Sequence, residues 1–199
     1  MHSDWRCDTC GPVPPFHVPA HIGTDVLKAV LAEVERHQDP LPVWCPWPLP
    51  NGWTVTGVGW AGDEREPVRA VALAGGGPAP LTGGPADLLL ISEAPGVGLA
   101  SRYAGLSGPD PGPALAAAMA GRPADAKVRT YGHPTPLWSV PSPEDRSAYV
   151  GEAGGVWLVV VAWPASAGYL LAEDLVLCDL LDYFPAELVY GAVSVRLSP

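Results

Sequence analysis

Lysine is almost missing from this chain. Two lysines stand among 199 residues, and Lys plus Arg reach 11 against 21 Asp plus Glu, for a formal net charge of −10. The basic residues are scattered. Neutralising a nucleic-acid backbone takes clustered Lys and Arg, and attraction to an anionic membrane surface takes the same, so neither partner is expected. The opening Met1-His2-Ser3-Asp4-Trp5-Arg6 has no apolar run and does not read as a secretory signal. Residues 154–172 carry no charge over about the length that crosses a bilayer. That stretch contains Pro164 and three glycines, however, and its β-branched, aromatic half at residues 156–163 reads as a buried strand. Four cysteines, two of them in a Cys-x-x-Cys, do not make a disulfide framework at this length. The expected location is therefore cytoplasmic. Gly-Lys-Ser/Thr is lacking, which excludes a P-loop, and so is Gly-x-Ser-x-Gly, which excludes a hydrolase elbow.

What is present argues for a packed core. Forty-eight per cent of residues are hydrophobic and eight are Trp, so the 23 Gly and 25 Pro imply turns and short strands rather than disorder. Part of that Gly and Pro content follows the same GC-rich codon bias that leaves one Asn and two Ile. Residues 24–37 form the clearest helix. Thr24 is placed to cap it, and Val26, Leu27, Val30, Leu31 and Val34 make one apolar stripe. His37 in the last turn suits the helix dipole. Residues 40–53 follow a proline-enforced extended path. Trp44, Trp47 and Trp53 along it serve either as a ligand platform or as anchors that pin a strap to the domain, with Cys45 packing as a small hydrophobe. Residues 53–60 and 68–73 alternate as a hairpin, and residues 74–85 read as a Gly/Pro loop. Residues 88–91 are apolar on consecutive positions, as a central strand covered on both faces must be. Residues 113–121 form a short Ala-rich helix. Strands are expected at 127–131, 135–140, 147–151, 156–163, 175–178 and 188–190. The fold class is α+β: a mainly antiparallel sheet, one N-terminal helix, a partial zinc-ribbon-like knuckle over residues 1–22 and a single domain over 23–199.

The knuckle is Cys7-Asp8-Thr9-Cys10-Gly11. Cys7 and Cys10 on a glycine-closed turn can both ligate one Zn²⁺. His17 and His21 follow, at a spacing short for a complete site. Half a zinc ribbon, a redox pair and two ordinary cysteines are the other readings.

Chemistry centres on residues 87–113. A strand, a glycine turn and a short helix place Glu93 and Arg102 on either side of Gly96 and Gly98. Gly96-x-Gly98-x-x-Ser101 lacks the third glycine and the downstream acid of a dinucleotide fingerprint, so no nucleotide cofactor is expected. Backbone N–H groups at the helix start can hold an anion with Arg102 as clamp. Alternatively Glu93 and Arg102 pair with each other and the glycines serve only the turn. Asp110, between two prolines, reads as a turn former. His133 is the only histidine beyond residue 37 and is an acid/base candidate.

The segments VWCPWPLPNGW (43–53), GVGLASRYAGLSGPDPGP (96–113) and PTPLW (134–138), with Gly151-Glu152 before the residue 156–163 strand, resemble a domain-of-unknown-function family of roughly two-hundred-residue actinobacterial proteins. The resemblance covers nearly the whole chain and imports no catalytic residue. It implies two N-terminal cysteine knuckles, of which Cys7 and Cys10 match the second. His17 and His21 do not match ligand positions, which leaves either a shortened chain or a ribbon reduced to half. The resulting expectation is a cytoplasmic, non-catalytic binding or protein-interaction module, with a protein partner or small anionic ligand and Zn as the candidate metal. The alternative is an enzyme of acyl or phosphoryl transfer type acting on an anionic metabolite at Glu93, Arg102 and His133.

Overall fold

A computed structural model describes residues 6–7, 11–12, 14–36, 38–63 and 67–198, the first four by backbone alone. In chain order the elements are β1 (Arg6–Cys7), β2 (Gly11–Pro12), β3 (Phe16–His17), α1 (Thr24–Val34), β4 (Trp44–Pro46), β5 (Thr54–Ala61), β6 (Ala70–Pro78), β7 (Pro85–Glu93), α2 (Leu99–Ala104), α3 (Gly112–Met119), β8 (Ala126–Thr130), β9 (His133–Val140), β10 (Ser147–Ala153), β11 (Val156–Trp163), a 3₁₀ segment (Ala165–Ala172) and β12 (Val176–Asp179). The architecture is α+β. β1 and β2, two residues each, pair with one another, and the other strands form one ten-stranded sheet ordered β3-β5-β6-β7-β11-β10-β9-β8-β12-β4. Every pairing in it is antiparallel except β12 on β8.

β7 and β11 lie at the centre because both their faces are apolar. Leu89 and Ile91 join Val159 and Val161 in a core under α2 and α3. Leu88 and Leu90 join Leu158 and Val160 on the opposite face. That second face is covered by the sheet itself. The β9-β8-β12-β4 end curls back, so that Val128, Leu137, Leu177 and Trp44 pack against the central strands. The hydroxyl of Ser92 on β7 donates to the carbonyl of Pro42, just before β4. α1 closes the remaining part of this face. Leu27, Val30, Leu31 and Val34 pack on Val55, Val58, Val71 and Leu73. A bulge between Val55 and Gly57 puts Val55 and Val58 on the same side of β5, which simple alternation would not.

Several expectations shift. Thr24 is the first helical residue and Gly23 occupies the N-cap with no side-chain cap bond; α1 ends at Val34, and His37 lies outside the described residues. The described residues carry three α-helices rather than the single N-terminal one of the fold class, the other two being the short helix after the glycine turn and the Ala-rich helix, here α2 and α3. Residues 74–78, read as part of a loop, continue β6: Gly75, Gly76 and Gly77 pair with Leu88, Asp87 and Ala86. Their lack of side chains is what admits the Trp53 indole, since a Cβ on Gly77 would stand 2.5 Å from that ring. The Trp53 Nε1–H donates to the Pro78 carbonyl at 3.2 Å. The proline-rich segment is a strap. Trp44 and Trp53 are buried and Trp47 half-buried. Residues 188–190 contribute one isolated bridge, Tyr190 to Val55, rather than a strand. No helix among the described residues is long and apolar enough to cross a membrane.

Candidate functional site

β7 ends at Glu93, whose side chain points to the helix-covered face and is wholly buried. The glycine turn then wraps round its carboxylate. Oε1 accepts the Gly98 N–H at 2.8 Å, and Oε2 accepts the Ala100 N–H. The donors predicted to hold an external anion thus close on the protein's own carboxylate. Burial pushes the Glu93 pKa up to about 7; hydrogen bonds from Ala100 and Gly98 act against the rise, and the nearby negative charge of Asp110 adds to it. Gly96 and Gly98 are both left-handed, with φ of +83° and +94°. Arg102 is exposed, with its guanidinium carbon 5.6 Å from the centre of the Tyr103 ring. Asp110 is a turn former: its Oδ1 accepts the Gly112 N–H at 2.7 Å where α3 opens. His133 is exposed at the start of β9, three strands across the sheet from β7, so it does not join the Glu93 cradle.

β1 and β2 pair with Cys7 opposite Gly11 in register. Cys10, and the side chain of Cys7, lie outside the described residues. His17 is engaged elsewhere: its Nε2 is 3.0 Å from the Gly62 carbonyl, and its ring stacks on Trp60 at 5.0 Å. Among the described residues no group of three or more His, Cys, Asp or Glu is placed to hold a metal ion.

The same stretch that buries Glu93 forms one wall of a cleft of about 720 Å³, between the loop 105–111, α3 and the β9–β10 connection. Sites for small ligands occupy about 300–1,000 Å³. Leu106, Ala114, Pro113 and Pro143 give it an apolar surface, and Ser107, Ser139 and Ser142 add hydroxyls. Arg122 lies at the edge, held by Asp125 at 2.8 Å. Gly105 fixes the wall. It caps α2 with φ +78°, and a Cβ there would stand 2.5 Å from Pro143 Cδ. None of these lining residues belongs to a catalytic motif. The only local signal for them is the density of Gly and Pro at 105–113, which marks a shaped loop without saying what it faces.

A family model matches residues 1–197. The chain belongs to the family of unknown function DUF6758. The match to DUF6758 takes in the strap, the Glu93 turn and most of the C-terminal segment. No curated protein matches the chain, and no solved structure does.

Proposed function

We propose that the protein is a cytoplasmic, non-catalytic binding module that takes a partner segment or small ligand in the cleft between the loop 105–111, α3 and the β9–β10 connection. One observation carries the reading: both oxygens of the buried Glu93 are committed to the backbone of the turn, while the open, mainly apolar cleft lies beside it. A carboxylate so engaged serves as an internal cap that sets the cleft wall. An apolar cleft of this size with a few hydroxyls is suited to recognition.

The enzyme alternative, acyl or phosphoryl transfer at Glu93, Arg102 and His133, needs those groups within reach of one substrate. His133 stands three strands from Glu93. Screening a peptide and fragment library by amide NMR on the whole chain separates the two. Binding as proposed shifts amides of residues 105–118 and 139–143 and is lost in Ala117→Trp, which fills the cleft from an exposed helix position. Hits that instead shift Arg102 and His133 together and survive Ala117→Trp would overturn it. Cys7 and Cys10 remain our candidates for half a Zn²⁺ site. Metal analysis that finds no zinc lost in Cys7→Ser would remove them.

A further inference from the structure

The edge strand β4 and its neighbour β12 set two thiols face to face. Cys45 and Cys178 are direct partners in antiparallel register. The Trp47 N–H donates to the Val176 carbonyl and the Leu180 N–H to the Val43 carbonyl, each at 2.9 Å. Those bonds make Pro46/Leu177 and Trp44/Asp179 the non-hydrogen-bonded pairs of the ladder, so Cys45/Cys178 occupies a hydrogen-bonded pair. Cα atoms of such a pair stand about 5.5 Å apart, near the middle of the roughly 4.4–6.8 Å that a disulfide spans. Directly opposite residues project from the same face. Here it is the face toward α1, where Cys45 is a core member and Cys178 packs against the same cluster.

The two thiols are chemically unequal. Cys45 is fully buried and Cys178 half-buried. The Cys45 Sγ–H donates to the Pro46 carbonyl at 3.6 Å. The closeness of the two thiols holds Cys178 below its ordinary range and, together with burial, pushes Cys45 above it. A lowered, reachable thiol beside a buried one is the arrangement of an attacking and a resolving cysteine.

We propose that Cys178 and Cys45 form a reversible dithiol–disulfide pair, with Cys178 as the attacking and Cys45 as the resolving thiol toward low-molecular-weight disulfides. The Cys178 thiolate attacks one sulfur of the small disulfide. An S–S bond forms at Cys178, the bond within the reagent breaks, and one small thiolate leaves and takes a proton. The Cys45 sulfur gives up its proton and attacks the Cys178 sulfur of the mixed disulfide, expelling the second small thiol. Two protein thiols are oxidised and one small disulfide is reduced to two thiols. β4 is only three residues long and forms the end of the sheet, so the new bond staples an edge otherwise held by a short ladder. It also restrains a second cleft of about 610 Å³, which runs along Trp47–Pro50 and Val176. A reducing cytoplasm keeps the pair open, and oxidation closes it.

The test uses the whole chain and a Cys7→Ser/Cys10→Ser variant in which only this pair remains. Both are incubated folded with oxidised glutathione and read by peptide mapping and thermal melting. The expected result is a linked peptide joining Cys45 to Cys178, with loss of two hydrogens and reversal by dithiothreitol. Closing a loop of about 130 residues raises the melting temperature by about 5–10 °C. Cys45→Ser stops at a glutathione adduct on Cys178, and Cys178→Ser is not modified while folded. A chain that keeps both thiols, stops at the adduct with Cys45 intact, or melts lower once linked overturns the proposal. Should the double variant fail to fold, mapping of the wild-type chain decides between the same outcomes.

Discussion

At the scale of single residues, two buried carboxylates, Glu93 and Asp179, organise backbone around themselves. Glu93 has a folded pKa of about 7 against an ordinary 4.5. The folded protein therefore holds that proton more tightly than the unfolded chain does. The stabilising contribution is fully present below about pH 4.5 and is lost as pH rises through 7. The window is worth at most about 3 kcal/mol. Glu93→Gln cannot ionise, so wild type should lose stability relative to it across that window and run parallel to it above. Urea midpoints measured from pH 4 to 8 check this, and parallel curves throughout would count against a buried, titrating Glu93. Glu93→Ala leaves the buried Ala100 N–H and the half-buried Gly98 N–H unpaired and should cost about 2–4 kcal/mol. Asp179 is the second case. Its Oδ1 accepts the Val43 and Leu181 N–H groups at 2.9 and 3.1 Å, and its Oδ2 accepts the Tyr131 hydroxyl at 3.1 Å. Burial and the Asp179 charge push the Tyr131 pKa up, so the hydroxyl remains a donor. Asp179→Ala should lower stability by about 2–4 kcal/mol by the same mechanism, read from denaturant unfolding, whereas Tyr131→Phe removes one exchangeable bond and should cost about 1 kcal/mol.

At the scale of elements, the wall of the cleft depends on how α2 stops. Gly105 is left-handed and pressed against Pro143. Gly105→Ala meets both a backbone penalty and a clash, and should destabilise by about 2 kcal/mol or more while moving the 105–111 loop. Thermal melting gives the first, and amide shifts confined to that loop and to residues 139–143 give the second. How far such elements can be read from sequence depends on how local their causes are. β7, β11 and α1 are legible because their apolar periods are set by a few consecutive residues. β4 is not: three residues with a proline among them carry no period, and only β12 makes them a strand. The extension of β6 through Gly75–Gly77 is hidden for a different reason. Glycines in a strand look like a loop until Trp53 is seen lying on them. The Glu93 turn is legible as a special conformation, but not as a closed one, because the direction of one carboxylate decides whether its donors face inward or out. The cleft is less legible still, since its walls come from segments separated in sequence whose residue types are ordinary.

At the scale of the whole molecule, the C-terminal tail is structural. Leu197 is buried in the core under α2 and α3. The Tyr103 hydroxyl bonds to Ser198, and residues 189–194 bond along β5 through Val55 and Thr56. Deleting residues 188–199 uncovers the outer part of both cores and should produce a chain that binds a hydrophobic dye and unfolds with reduced cooperativity. A deletion that melts like wild type would show the tail to be dispensable.

The pairing of β4 with β12 also has a temporal meaning. A polypeptide leaves the ribosome from its N-terminus, so residues 44–46 emerge long before residues 176–179, the partner strand they must meet. β12 in turn needs β8 for its one parallel contact. Non-local pairing of this kind is slow to form because loop closure precedes its reward. The strap with Trp44 and Cys45 therefore waits with its apolar surface uncovered until residues 176–179 have emerged. During that interval the chain carries the kind of exposed apolar surface that makes folding intermediates prone to aggregate.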